Sequence, residues 1–158
     1  MDISYANINS GDYDTFHSLM TCYYREAEDK DTPQEDINAF IRLLFDRIMS
    51  GEIGGCFAVV NDCTAGFALW MKDTAQSEFS EILGFGTILE IGLDKEFRNR
   101  GIGASLAGFA ERQMLAGGVD GLYVCAYGPA QGFWLKCGYR DSKRIAKNGL
   151  PILIKDIV

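Results

Sequence analysis

The stretch Leu93-Asp94-Lys95-Glu96-Phe97-Arg98-Asn99-Arg100-Gly101-Ile102-Gly103-Ala104-Ser105-Leu106 constrains the fold of this 158-residue chain more than any other. An apolar run over 87–93 ends there, and a short basic turn follows. Two glycines then lead into a segment whose apolar residues, Leu106, Phe109, Ala110 and Met114, recur at helical spacing until Gly117-Gly118. The pattern predicts a strand, a turn and a helix over 101–116. At such a junction glycines let successive backbone N–H groups point at one oxyanion, and the helix N-terminus adds partial positive charge. Arg98 and Arg100 add full charges in a chain of formal net charge −7. The segment reads as an anion cradle suited to a pyrophosphate. It also fits a glycine-rich turn that only starts a helix beside two solvated arginines, and local chemistry leaves both readings open. Two other phosphate-binding patterns are missing. A P-loop needs a Gly-Lys pair, and the chain has none. A dinucleotide fingerprint needs glycine where Leu106 stands.

Periodicity places the remaining elements. Residues 3–8 alternate as a first strand. Ser10 or Asp12 can cap a helix to about Arg25, with Phe16, Met20 and Tyr23 on one side. Thr32-Pro33-Gln34-Glu35 reads as a capping box with proline at the first helical position. Ile37, Phe40, Ile41, Leu44 and Ile48 then mark a second helix up to Ser50-Gly51. Strands over 56–61 and 64–71 form a hairpin closed by Asn61-Asp62-Cys63. The strand over 87–93 is interrupted by Gly92, which marks a bulge or a close backbone approach. A strand over 122–127, a short helix over 129–137 and strands over 139–145 and 150–157, joined across Asn148-Gly149, complete the chain. The expected class is α+β (mixed α/β), one domain over 1–158. Its sheet is largely antiparallel, with about six or seven strands and about four flanking helices.

The acidic balance, with a pI near 4.7, argues against nucleic acid as a partner and against an anionic membrane. Cys22, Cys56, Cys63, Cys125 and Cys137 show no C-x-x-C spacing and no histidine at a zinc-site interval. No metal is expected, and the cysteines read as reduced thiols, mostly in the core. The first residues, MDISYANINSGDYD, lack the basic and apolar regions of a signal peptide, and no run reaches the length of a membrane span. A cytoplasmic protein is expected.

Arg98-Asn99-Arg100-Gly101-Ile102-Gly103 meets the pattern [QR]-x-x-G-x-[GA] of the GNAT superfamily of N-acetyltransferases, which the sequence resembles. The later Ala130-Gln131-Gly132-Phe133-Trp134-Leu135-Lys136-Cys137-Gly138-Tyr139 is similar to that family's A-x-x-F-Y-x-K-x-G-F signature, and the element order agrees. The resemblance implies acetyl-CoA as cosubstrate and an amine of a small molecule or peptide as acetyl acceptor. It implies that backbone N–H groups of Arg98, Asn99, Arg100, Gly101, Ile102, Gly103 and Ala104 hold the pyrophosphate. Backbone groups of Ile91 and Leu93, beside Gly92, would pair with the pantetheine arm like an added strand. A bulge there would help to splay two parallel strands into a V-shaped slot, and Phe133 would lie against the arm. Family members are often dimers, so a homodimer is expected.

The catalytic positions depart from the family's pattern. Its usual acid, the Tyr of the F-Y pair, is replaced by Trp134, whose indole is not a useful proton source for a thiolate. The usual base positions match Thr87 and Leu89, neither of which is a base near neutral pH. Glu90 lies between them and by alternation faces the other way, unless a bulge re-aims it. Tyr127 is the nearest alternative acid, and equally an aromatic packed at a strand end. His17 and Cys125 read as structural. Either the amine attacks directly, with positioning supplying much of the rate, or the domain binds CoA as a regulatory module without efficient turnover. Glu26, Glu28, Asp29, Asp31, Glu35 and Asp36, against Arg25 and Lys30, fit an electronegative rim for a cationic acceptor such as a polyamine, an aminoglycoside or a lysine side chain. They equally fit a solvated loop whose acids favour a helix N-terminus. Tyr23, Tyr24, Trp70 and Trp134 fit either an acceptor pocket or the core.

Overall fold

A computed structural model describes residues 1–27, 31–78 and 80–157. In chain order the elements are β1 (Ile3–Asn7), α1 (Tyr13–Ala27), α2 (Gln34–Met49), β2 (Gly54–Val60), β3 (Cys63–Lys72), β4 (Gly86–Leu93), α3 (Ile102–Ala116), β5 (Leu122–Cys125), α4 (Gln131–Lys136), β6 (Arg140–Ile145) and β7 (Pro151–Lys155). Short 3-10 turns cover Lys95–Phe97 and Gly128–Ala130. The strands form one seven-stranded sheet in the order β1-β2-β3-β4-β5-β7-β6. β1 with β2, β5 with β7 and β6 with β7 run antiparallel, and β4 with β5 runs parallel. The class is therefore the expected α+β fold, built on a mixed sheet.

The chain divides into two compact units. The first takes residues 1–69 and 90–106. Its core is the apolar stripe of α1 (Phe16, Met20) and of α2 (Ile37, Ile41, Leu44, Phe45, Ile48), with Cys56, Ala58, Val60 and Phe67 from the strands. Those helix positions recur every three or four residues, so one face of each is apolar throughout. Proline does not take the first helical position of α2, which begins at Gln34. Pro33 is itself the N-cap, with no side-chain hydrogen bond, and its carbonyl receives the N–H groups of Asp36 and Ile37 at 3.0 and 3.2 Å. The Thr32 carbonyl accepts from Arg25 Nη1 at 2.8 Å. The β2–β3 hairpin closes as expected. Asn61 and Asp62 both adopt left-handed backbone (φ 49° and 66°), as a tight primed turn requires.

The second unit takes residues 70–89 and 107–158. One cluster joins Tyr123, Ala146, Ile152 and Ile154, with Ile82, Phe85 and Cys125 packed on it. The parallel ladder registers Gly86 with Leu122 and Thr87 with Tyr123. Beyond it Val124 and Cys125 are registered with Leu153 and Ile152 of β7. β5 ends at Cys125, short of the expected Tyr127; Ala126 N–H still reaches the Pro151 carbonyl of β7 (3.0 Å) in the same register, and a 3-10 turn with Pro129 follows. β6 carries an irregularity that periodicity did not show. The register shifts between Asp141 and Arg144, with Lys143 at φ 63°. Among the described residues no helix is long and apolar enough to cross a membrane.

Candidate active site

The strand–turn–helix junction of the first unit is built from the backbone outward. Asp94 N–H closes β4 onto the Ala65 carbonyl of β3 at 2.8 Å, and the 3-10 turn then reverses the chain. Asn99 and Gly101 are both left-handed, at φ 63° and 80°. Ser105 N–H donates to the Gly101 carbonyl at 3.2 Å, so Gly101 precedes the first helical residue, Ile102. The N–H groups of Ile102, Gly103 and Ala104 thus open α3 with no carbonyl inside the helix to receive them. Left-handed residues so close to a helix N-terminus curl backbone donors into an anion-binding concavity. A Cβ on Gly101 would meet nothing within 4 Å, so φ alone makes glycine favourable there. A hydrogen bond between the hydroxyls of Tyr5 and Ser105 ties the first turn of α3 to β1.

The two arginines of the turn differ. Arg98 donates from Nε to the Leu93 carbonyl at 3.1 Å and from Nη2 to Glu26 Oε2 at 2.5 Å. Lys95 Nζ lies 3.6 Å from Glu26 Oε1. The hydrogen bond from Arg98, with the charges of Arg98 and Lys95, lowers the Glu26 carboxyl below its ordinary 4.5. Arg100 is exposed and pairs with no carboxylate among the described residues. Glu26 therefore faces the turn as part of an ion-pair cluster. Glu28, Asp29 and Lys30 of the expected acidic rim lie outside the described residues.

At the end of β4 the backbones of β3 and β4 approach closely. A Cβ on Gly66 would stand 2.2 Å from the Gly92 carbonyl oxygen and 3.1 Å from Leu93 Cα. A Cβ on Gly92 would meet the rings of Phe67 and Tyr23 at 2.9 and 3.0 Å. The expected close approach at Gly92 is therefore present, and Gly66 is its counterpart. A cleft follows, lined by Cys22, Tyr23 and Glu26 of α1, Phe67 of β3, Leu93 and Arg98. Tyr23 packs edge-on against Phe67 (5.6 Å) and Tyr24 against Phe40 (5.5 Å), so Tyr23 faces the cleft while Tyr24 joins the helix contact. Glu90 is half-buried and has an interaction of its own. His17 bonds Asn38 Oδ1 at 2.6 Å, a link between α1 and α2.

In the second unit, Tyr127 is partly exposed and starts the 3-10 turn, its carbonyl taking Ala130 N–H at 2.9 Å. Phe133 is half-buried on α4, edge-on to Trp134 at 4.8 Å. Trp134 is buried and stacks edge-on with Tyr139 at 5.4 Å, which makes it a core residue. Gly138 (φ 96°) donates to the Leu135 carbonyl and Tyr139 to the Trp134 carbonyl, both at 3.1 Å. This is a Schellman cap with its hydrophobic contact between Trp134 and Tyr139. The Lys-x-Gly-aromatic end of the second signature is thus a helix stop. Periodicity missed two buried acids of this unit. Glu111 accepts from Tyr139 Oη (2.8 Å) and Lys155 Nζ (3.0 Å), and Lys155 also donates to the Cys137 carbonyl (2.8 Å). Asp73 Oδ2 accepts from Tyr123 Oη and the N–H groups of Glu81 and Ile82 at 2.6, 2.7 and 3.0 Å. The one available signal was an acid placed within an apolar face. Of the cysteines only Cys56 is buried, and Cys22 and Cys63 are exposed, contrary to the expectation of mostly core thiols.

The fold and this junction define a protein with an α+β sheet and an anion cradle at a helix N-terminus. The acetyltransferase (GNAT) family model matches residues 13–139, and the chain belongs to that family. It is an acetyltransferase that uses acetyl-CoA. Solved structures agree on the fold. The PaiA N-acetyltransferase of Thermoplasma acidophilum, solved in complex with coenzyme A, superposes with TM-score 0.74 at 18% identity over 99% of this chain and 100% of that one. An acetyltransferase of the GNAT family from Staphylococcus aureus Mu50 gives 0.76 at 15% identity over 99% and 100%. A GCN5-related N-acetyltransferase from Ralstonia eutropha JMP134 gives 0.71 at 18% identity over 92% and 97%. No curated protein matches the chain at a significant level.

Proposed function

We propose that residues 1–158 act as one cytoplasmic acyltransferase domain that moves the acetyl group of acetyl-CoA to a primary amine of a small molecule or peptide. The observation that carries this reading is the left-handed backbone at Asn99 and Gly101 immediately before α3. In this reading the backbone N–H groups of residues 98–104 hold the pyrophosphate, and Arg100 adds an available charge. Backbone groups of Ile91 and Leu93 pair with the pantetheine arm, and Phe133 packs on it. The amine nitrogen, neutral, attacks the thioester carbonyl, whose developing charge is stabilised by a backbone N–H of Ile91–Leu93. The C–N bond forms, the C–S bond breaks, and the thiolate takes a proton. Tyr127 supplies that proton in place of the family's tyrosine, because Trp134 is buried against Phe133 and Tyr139. Glu90 accepts the amine's proton through water.

A cationic acceptor fits the acidic chain. Release of free thiol from acetyl-CoA, measured with a polyamine, an aminoglycoside and a lysine-containing peptide, tests the reading. Amine-dependent release is expected, falling about a hundredfold in Tyr127→Phe. Binding of CoA with no release on any amine would instead favour a regulatory CoA-binding module.

A further inference from the structure

We propose that Glu26 sets the affinity of the turn for its anionic ligand by competing for Arg98 and Lys95; this rests on the pyrophosphate reading of that turn. The charges on the turn decide the sign. Lys95, Arg98 and Arg100 stand against Asp94 and Glu96, leaving one net positive charge on residues 94–100. Glu26 reaches the same cluster from α1, with carboxylate oxygens 2.5 Å from Arg98 Nη2 and 3.6 Å from Lys95 Nζ. It cancels that net charge in the unliganded protein. Arg98 is also held by its Nε on the Leu93 carbonyl, so its guanidinium is committed to the β4 end and α1. An incoming pyrophosphate meets one available arginine, Arg100, and one whose charge is already neutralised at contact distance.

Glu26 is exposed enough for its ion pair to remain screened, so its effect on a phosphate is a modest and salt-sensitive one. The cleft gives the pair a second consequence. Glu26 lines it together with Cys22, Tyr23 and Leu93, so the cluster links α1 to the end of β4 that carries the proposed pantetheine contacts.

Glu26→Gln separates charge from shape, since the amide keeps an acceptor oxygen for Arg98 while losing the negative charge. Calorimetric titration with CoA at low ionic strength is expected to show about two- to fivefold tighter binding in Glu26→Gln than in the wild type. The gain should shrink at about half-molar salt. It should also shrink in an Arg98→Gln background, where the competition has been removed. Unchanged or weaker binding in Glu26→Gln, with an unaltered urea midpoint, would overturn the proposal. A wild-type protein that binds no CoA would defeat the pyrophosphate reading itself, which the first titration shows before any variant is made.

Discussion

Gly66 and Gly101 are glycines for different physical reasons, and the difference predicts their substitutions. At Gly101 the requirement is conformational, with φ 80° and open space around a Cβ. Asparagine tolerates that backbone, so Gly101→Asn should lower the unfolding free energy by less than about 1 kcal/mol. At Gly66 the requirement is steric, because the Gly92 carbonyl stands 2.2 Å from the Cβ position. Backbone cannot swing aside as a side chain does, so Gly66→Ala should cost about 2–3 kcal/mol. Urea denaturation of the two variants checks the order, and equal losses would contradict it. Gly101 was legible in the sequence because its reason is local. Gly66 was not, because its reason is a neighbouring strand 26 residues away in the chain. Glu26 stood in between, since its charge was legible and its partners were not.

Among the elements, helix ends and tight turns carry the specificity that periodicity lacks. The stop of α4 depends on left-handed Gly138 and on Tyr139 packing back on Trp134. Tyr139 also donates to Glu111, whose other oxygen takes Lys155. Tyr139→Phe keeps the ring contact and removes only the hydroxyl, leaving one buried carboxylate oxygen without its donor. A loss of about 1–3 kcal/mol is expected, read from the shift of the urea midpoint. A shift below a few tenths would mean that water takes the vacated place. The strands and helices themselves followed from alternation and helical spacing, to within a residue or two at most ends. At the α2 start the difference is one residue, with Pro33 at the N-cap rather than at the first helical position. The β6 irregularity at Lys143 also escaped alternation, although its bonds are local, from Lys143 N–H to Asp141 Oδ1 and from Arg144 N–H to Ser142 Oγ.

For the whole molecule, buried protons set the alkaline limit of stability. Burial pushes the Cys56 thiol from its ordinary 9.0 up to about 12. Burial also raises the Tyr123 and Tyr139 hydroxyls, helped by the carboxylates of Asp73 and Glu111 that they donate to. The unfolded chain releases these protons near pH 9 and 10, and the folded chain retains them. The contribution is therefore complete below pH 9 and is lost as pH rises toward 12. Each group steepens the fall by up to about 1.4 kcal/mol per pH unit. Unfolding free energies at pH 8, 9, 10 and 11 should decline progressively, and Cys56→Ala should flatten the decline between pH 9 and 11. A profile independent of pH over that range would contradict these assignments. At this scale the class of fold and the acetyl-CoA chemistry were legible through two short signatures in the right order. The strand order, the parallel pairing of β4 with β5 and the two buried acids depend on contacts between distant segments. The most direct test of the central claim is calorimetric titration with acetyl-CoA, CoA, ATP and NAD of the wild type and of an Arg100→Glu, Gly103→Asp double variant. Selective binding of the two CoA compounds, lost in the folded variant, is the predicted result. Absence of CoA binding by the wild type up to about a millimolar would show that the turn before α3 only starts a helix.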